Sequence, residues 1–312
     1  MKKIISSLKK HHSEFYEPRF LLAWLVLLGG LIFWKYSTGT NVRFWGLEYR
    51  YLWGFLLYAV PFYTAAGLYY LFKKPQENFF KKKGFWIDSL LILTVLFVLR
   101  YCLSLYRPEL IRTFAPTIPA FFGKLIFSSN SVFLYFLLPI SYWLVIDKKK
   151  YPDNFYGLTR KGFDAKPYIF LLLISLPFLA GASFSAGFQK VYPFYKPADV
   201  PILASQTNYW SSVLIFELFY ICQFVCLELF FRGFIVMRLQ KYMGGASVWL
   251  MVTLYCILHF GKPMPETLAS IVGGYVLGVI AYYSRSVFGG IIVHVGVAVC
   301  MDIFAHLQLL SK

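Results

Sequence analysis

Leu227-Glu228-Leu229-Phe230-Phe231-Arg232-Gly233-Phe234 is the stretch on which the fold turns. It lies inside an apolar run from about Tyr209 to Leu239, long enough to cross a membrane with some tilt. On an α-helix the spacing of four puts Glu228 and Arg232 one turn apart on the same face, the acid N-terminal to the base. Glu217 falls on nearly the same face three turns earlier. An ionised group near the bilayer centre costs roughly 2.5–3.5 kcal/mol on the insertion scale, so three on one face point into protein rather than lipid. The pattern reads either as a function-bearing interior or as a self-satisfied Glu–Arg pair that locks helix packing.

Outward from that stretch, the composition sets the class. Of 312 residues, 59% are hydrophobic, 21% aromatic and only 14% charged, and the mean hydropathy is +0.60. Soluble domains carry about a quarter charged residues. The expectation is an all-α, polytopic transmembrane helical bundle. The net charge of +17 would suggest nucleic acid in a soluble protein. Here the Lys and Arg residues cluster between apolar runs, which indicates topology signals and contact with anionic membrane lipids, and no nucleic acid. Cys102, Cys222, Cys226, Cys256 and Cys300 all lie in apolar segments without a CxxC pair, so structural disulfides are not expected. Cys222 and Cys226, one helical turn apart, would act as small hydrophobes or face a metal together with His259.

Nine candidate spans follow, near 20–34, 51–72, 86–106, 126–146, 167–188, 209–238, 246–260, 266–283 and 287–310. The first has the layout of a signal peptide, but bulky aromatics and Lys35 replace the small-residue cleavage site, so it reads as a retained span. Lys73, Lys74, Lys81, Lys82 and Lys83 mark one cytoplasmic turn, and Lys148 to Lys150 with Arg160, Lys161 and Lys166 mark another. The positive-inside rule therefore puts the N-terminus in the cytoplasm and, with nine spans, the C-terminus outside. A bacterial cytoplasmic membrane is the expected location. A polar, basic connector at Asp147–Pro167 separates an N-terminal membrane scaffold (1–150) from a C-terminal core (151–312) that holds most of the buried polar groups.

His11 and His12 belong to the basic N-terminal tail and call for no further explanation. His259 ends a short apolar run, Ala246–Phe260, whose fifteen residues rise about 22 Å, short of a hydrocarbon core of about 30 Å. The break at Gly261-Lys262-Pro263-Met264-Pro265-Glu266 is tolerated at that depth only where protein or a polar cavity surrounds it. Glu266 suits the first turn of the next helix, where a carboxylate favours the dipole. His294 sits early in the last span. Asp302 lies two turns further on and is expected to satisfy His306, one turn beyond it. Gly273, Gly274 and Gly278, then Gly289, Gly290 and Gly296, give small faces for close packing of the last two spans. His-Glu-x-x-His, Gly-x-Ser-x-Gly, phosphate-loop and dinucleotide signatures are all absent, so a site must be assembled between helices.

Glu228-Leu-Phe-Phe-Arg232-Gly233, then Tyr255-x-x-x-His259, then His294 on the final helix, resemble the CAAX prenyl protease 2 and bacteriocin-processing (CPBP, Abi) family of intramembrane proteases. The likeness covers about residues 150–310. In that family a Glu-Glu-x-x-x-Arg motif supplies the water-activating acid from its first glutamate, two histidines assist, and an Asn or Asp four residues after the last histidine helps bind the oxyanion. Here Leu227 stands where the first glutamate would be and Ala298 where the Asn would be. Gln223, one turn before Leu227, can orient a water but cannot act as its base.

The resemblance thus implies catalytic roles for Glu228, Arg232, His259 and His294. Two ways of restoring the base are open: Glu228 turned into the role, with His259 and His294 holding the water or a divalent metal (Zn), or Glu266 folded back beside His259. A bound metal with Glu228, His259 and His294 as ligands would lower the water's pKa toward neutrality. The reading is an endopeptidase acting on peptides or lipidated-protein substrates. The alternatives are a catalytically silent relative that binds such a partner, and a proton-coupled transporter, against which the absence of interrupted, inverted halves speaks.

Overall fold

The computed structural model describes residues 2–39, 47–102, 119–149, 152, 154–160, 163–195 and 206–311. Among them there is no strand. The helices are α1 (Lys2–Phe15), α2 (Pro18–Ser37), α3 (Leu47–Lys73), α4 (Lys83–Phe97), α5 (Pro119–Tyr142), α6 (Lys166–Ser183), α7 (Ala186–Val191), α8 (Gln206–Glu228), α9 (Val236–Met243), α10 (Ser247–Leu258), α11 (Met264–Ser284) and α12 (Phe288–Leu310). Eight segments of the described residues are long and apolar enough to cross a membrane. One of these, Trp210–Leu258, contains both the sixth and the seventh expected spans. A tight turn at Gly244–Ala246 divides it. The chain is a multi-pass membrane protein.

Two compact units interleave along the sequence. The first comprises Met1–Tyr101, Tyr156–Thr159 and Phe231–Val287. Its centre is α10, whose residues from Ser247 to Ile257 are all buried, as expected for a helix apolar all round. With 12 residues α10 rises only about 18 Å, and helices α3 and α11 wall it in. Helix α2 starts at Pro18 behind an N-cap Glu17, whose carboxylate accepts from the Arg19 N–H at 3.2 Å. It turns Phe20, Trp24, Leu28 and Ile32 inward at four-residue spacing, and Trp24 Nε1 donates to Thr253 Oγ1 of α10 at 2.9 Å.

Two polar anchors of this unit escape a reading of the sequence. Asp88 of α4 is 1% exposed and accepts from Arg238 at 2.9 and 3.1 Å, from Tyr242 Oη at 2.8 Å, and pairs with Lys241 at 2.8 Å. This fastens α4 to α9. His11 is not part of a free basic tail. It is fully buried, with Nδ1 3.0 Å from Tyr275 Oη and Nε2 3.0 Å from the Gly245 carbonyl, among the rings of Phe15, Trp249 and Tyr275. Burial pulls its pKa below the ordinary histidine value.

The second unit comprises Cys102–Phe155, Arg160–Phe230 and Phe288–Lys312. Within it α12 packs on α6 and α8, and α5 packs on α8. Tyr195, Val213, Phe216, Tyr220 and Ala298 form an apolar cluster between α8, α12 and the segment before α8. The Asp302 carboxylate does not turn to His306: it accepts from the Phe194 N–H at 2.9 Å, while His306 Nδ1 bonds the Asp302 backbone carbonyl at 2.9 Å. A histidine one turn on finds the carbonyl of residue i−4 nearer than that residue's side chain, which points to the opposite end of the helix.

Candidate active site

The helix carrying the Glu-x-x-x-Arg motif is not regular. Helix α8 ends at Glu228, and Leu229–Ile235 continues it as a wide, π-helical stretch before α9 resumes at Val236. An α-helical phase read straight through the motif is therefore wrong. Such insertions in helices occur mostly at functional sites. Glu228 and Arg232 are both fully buried, on either side of the boundary between the two compact units.

In the second unit Glu228 meets His294. The Glu228 Oε1 to His294 Nδ1 distance is 2.7 Å, and the His294 side chain is 14% exposed against 0% for Glu228. A contact this short between imidazole and carboxylate is charge-assisted. With Nδ1–H donating to the carboxylate, the lone pair of a neutral His294 ring sits on Nε2. Phe224 of α8 lies against the ring at 4.6 Å between centroids. Helix α12 comes close enough for this pairing because residue 290 is glycine: a Cβ there would collide with the Glu228 carboxylate. Glu217 uses the same face of α8, since its side chain reaches Asp302 of α12.

In the first unit the Arg232 guanidinium lies over the ring of Tyr255, its carbon 4.1 Å from the centroid. His259 follows directly on the last residue of α10, with Nδ1 2.8 Å from the Tyr255 carbonyl and its ring 4.5 Å from that of Tyr255. The turn beyond is pinned to the His259 carbonyl by the N–H groups of Gly261 (2.7 Å) and Lys262 (2.9 Å) and by Thr267 Oγ1 (2.9 Å). Glu266 stands in the first turn of α11, 3.5 Å from Lys262 Nζ, where the helix dipole favours it.

The two positions at which the motifs depart from the family pattern are both buried. Leu227 is 5% exposed, and Ala298 is 4% exposed within the Tyr195–Phe216–Tyr220 cluster. All five cysteines are free thiols, Cys226 buried and Cys222 exposed one turn before it on α8.

Residues 209–300 match the Rce1-like type II CAAX prenyl endopeptidase family. The matched segment runs from α8 into α12 and contains Glu228, Arg232, His259 and His294, all the residues on which the sequence resemblance rests. Helices α1 to α7 lie outside it. No curated protein and no solved structure matches the chain.

Of the candidate metal donors, Glu228 and His294 meet in the second unit, and His259 belongs to the first. Among the described residues no three His, Cys, Asp or Glu side chains gather closely enough to hold an ion.

Proposed function

We propose that the chain is a CAAX-protease-like endopeptidase of the membrane, with the Glu228–His294 pair as its water-activating group. The observation that carries this is the 2.7 Å contact between Glu228 Oε1 and His294 Nδ1. It supplies chemistry that the loss of the family's first glutamate at Leu227 takes away. In this reading Glu228 is the carboxylate that fixes the tautomer, and His294 Nε2 is the base, the division of labour found in carboxylate–histidine pairs generally.

His294 Nε2 takes a proton from water as the oxygen attacks the scissile peptide carbonyl. The ring then carries a positive charge, which Glu228 offsets at hydrogen-bond distance in a buried setting. As the tetrahedral adduct collapses, the C–N bond breaks and His294 returns the proton to the leaving amine. The resemblance implies His259 as the second assisting histidine. Substrates are peptides or the tails of lipidated proteins reached from the bilayer. The basic turns support a cytoplasmic N-terminus, and the short loops support a bacterial cytoplasmic membrane.

The test uses purified protein with quenched leader-type and CAAX-type peptides, with and without chelator. Glu228→Gln and His294→Ala should each lower cleavage by about 10²–10⁴-fold, and His259→Ala should lower it too. Cleavage that survives in Glu228→Gln and His294→Ala sinks the assignment. Tight binding without turnover in the unaltered protein would instead favour a silent relative, the reading that the burial of Leu227 and the apolar cluster around Ala298 support.

A further inference from the structure

A buried guanidinium and a histidine at a helix end share one neighbour in the first compact unit. We infer that Tyr255 is a positioning residue that fastens Arg232 and His259 to a single aromatic ring, so that the setting of one depends on the other. The inference rests on the reading of His259 as an assisting histidine, but its geometry stands independently.

Arg232 is fully buried in a segment otherwise made of apolar residues, and Tyr255 is 4% exposed. The guanidinium lies on the ring face, 4.1 Å from the centroid, where the negative face of the ring quadrupole attracts a cation most strongly when both are desolvated. His259 meets the same ring edgewise, at 4.5 Å and 64°, and Phe231 meets it at 5.3 Å and 68°. The remaining side is closed by α11: a Cβ on Gly274 would lie 3.1 Å from Tyr255 Cδ1. With a guanidinium, an imidazole, a phenyl ring and a helix backbone around it, the tyrosine ring has no slack.

The division of labour at His259 makes the side chain's part separable. The Nδ1 bond goes to the Tyr255 backbone carbonyl at 2.8 Å, a bond that any residue at position 255 supplies. It fixes which nitrogen holds the proton. The plane of the imidazole is set by the edgewise ring, which only an aromatic side chain supplies. Replacing the ring should therefore leave the tautomer largely intact while freeing the ring's rotation and cutting its link to Arg232. A group that must aim Nε2 at a reacting atom loses about 10²-fold in rate for a misplacement on the order of 1 Å.

The test measures ¹⁵N spectra of histidine-labelled full-length protein in detergent, with His259 assigned from His259→Asn, alongside kcat and KM on a cleaved peptide. Tyr255→Phe keeps the ring and should keep the His259 signals, with kcat within about threefold. Tyr255→Leu should broaden or shift the His259 signals and lower kcat about 10²-fold with KM little changed. Arg232→Lys keeps the charge but not the planar stack. It should shift the His259 signals in the unaltered background and leave them unmoved in Tyr255→Leu. Gly274→Ala crowds the ring without deleting it, and should move the same signals by a smaller amount if Tyr255→Leu does not fold. His259 spectra unchanged by Arg232→Lys, or by both Tyr255→Leu and Gly274→Ala, overturn the inference whether or not any peptide is cut. Spectral coupling without cleavage keeps Tyr255 in this role and removes only the peptidase reading.

Discussion

Gly290→Ala adds one methyl group and touches no polar atom, yet it should damage the candidate site as much as a change to Glu228 itself. The added carbon would overlap Glu228 Oε2 and lie 3.1 Å from Cδ. The carboxylate is fully buried and held to His294 at 2.7 Å, so it cannot retreat into solvent or swing aside with the bond intact. Overpacking of this kind costs about 1–3 kcal/mol, and a charge-assisted hydrogen bond lost on the way about 1.5–3 kcal/mol. Alanine in a helix is favoured over glycine by about 1 kcal/mol, which offsets only part. The expected net is a loss of about 1.5–5 kcal/mol, read as a lower unfolding midpoint in detergent, with cleavage falling about 10²-fold. The control is Gly273→Ala on α11, where nothing lies within 4 Å of the added carbon and propensity alone should stabilise by up to about 1 kcal/mol. The two variants therefore differ in sign. If Gly290→Ala stabilises the protein as Gly273→Ala does and leaves cleavage intact, α12 does not hold Glu228 as described, and the pairing with His294 fails with it.

Asp88→Ala removes the carboxylate that buried Arg238 donates to, which should cost about 3–5 kcal/mol, whereas a measured loss below about 1 kcal/mol would show that the α4–α9 anchor adds little. Since burial depresses the His11 pKa, the folded state binds fewer protons there than the unfolded one. Stability from this group is complete above about pH 6.5 and declines as the pH falls from there through the folded value; His11→Asn should flatten that part of the pH–stability curve. Leu227→Glu restores the family's acid but buries an unpaired carboxylate, at roughly 2.5–3.5 kcal/mol on the insertion scale. If His294 is already the base, this change lowers stability without raising turnover; a large gain in cleavage would return the role to position 227.

What the sequence made legible follows from which forces act locally. Apolar runs of membrane length exposed the helical bundle because hydrocarbon leaves the backbone few other choices. The three motifs placed Glu228, Arg232, His259 and His294 in a recognisable order, and the family match covers all four. Partners across long separations stayed hidden. Glu228 and His294 are 66 residues apart, and nothing in one sequence says which of several buried groups a carboxylate will meet. The same holds for Asp88, although a lone acid within the apolar run Lys83–Cys102 was a signal in itself, being expensive unless paired. His11 was obscured by its lysine-rich neighbours, which face outward from α1 while His11 and Ile4 alone face in. The π-helical stretch has no proline to announce it, so α-helical spacing was the only phase the residues offered.

That stretch also bears on how the motif can vary. One residue threaded into a helix is an angular offset of about 100°, so the residues before Leu229 and those after Ile235 fall out of α-helical register with one another. Glu228 is thereby delivered to α12 and Arg232 to α10. Trimming a single position from the insertion, such as Gly233, would restore one straight screw and force either the acid or the guanidinium off its neighbour. Substitutions inside the segment should then be tolerated far better than a change of its length.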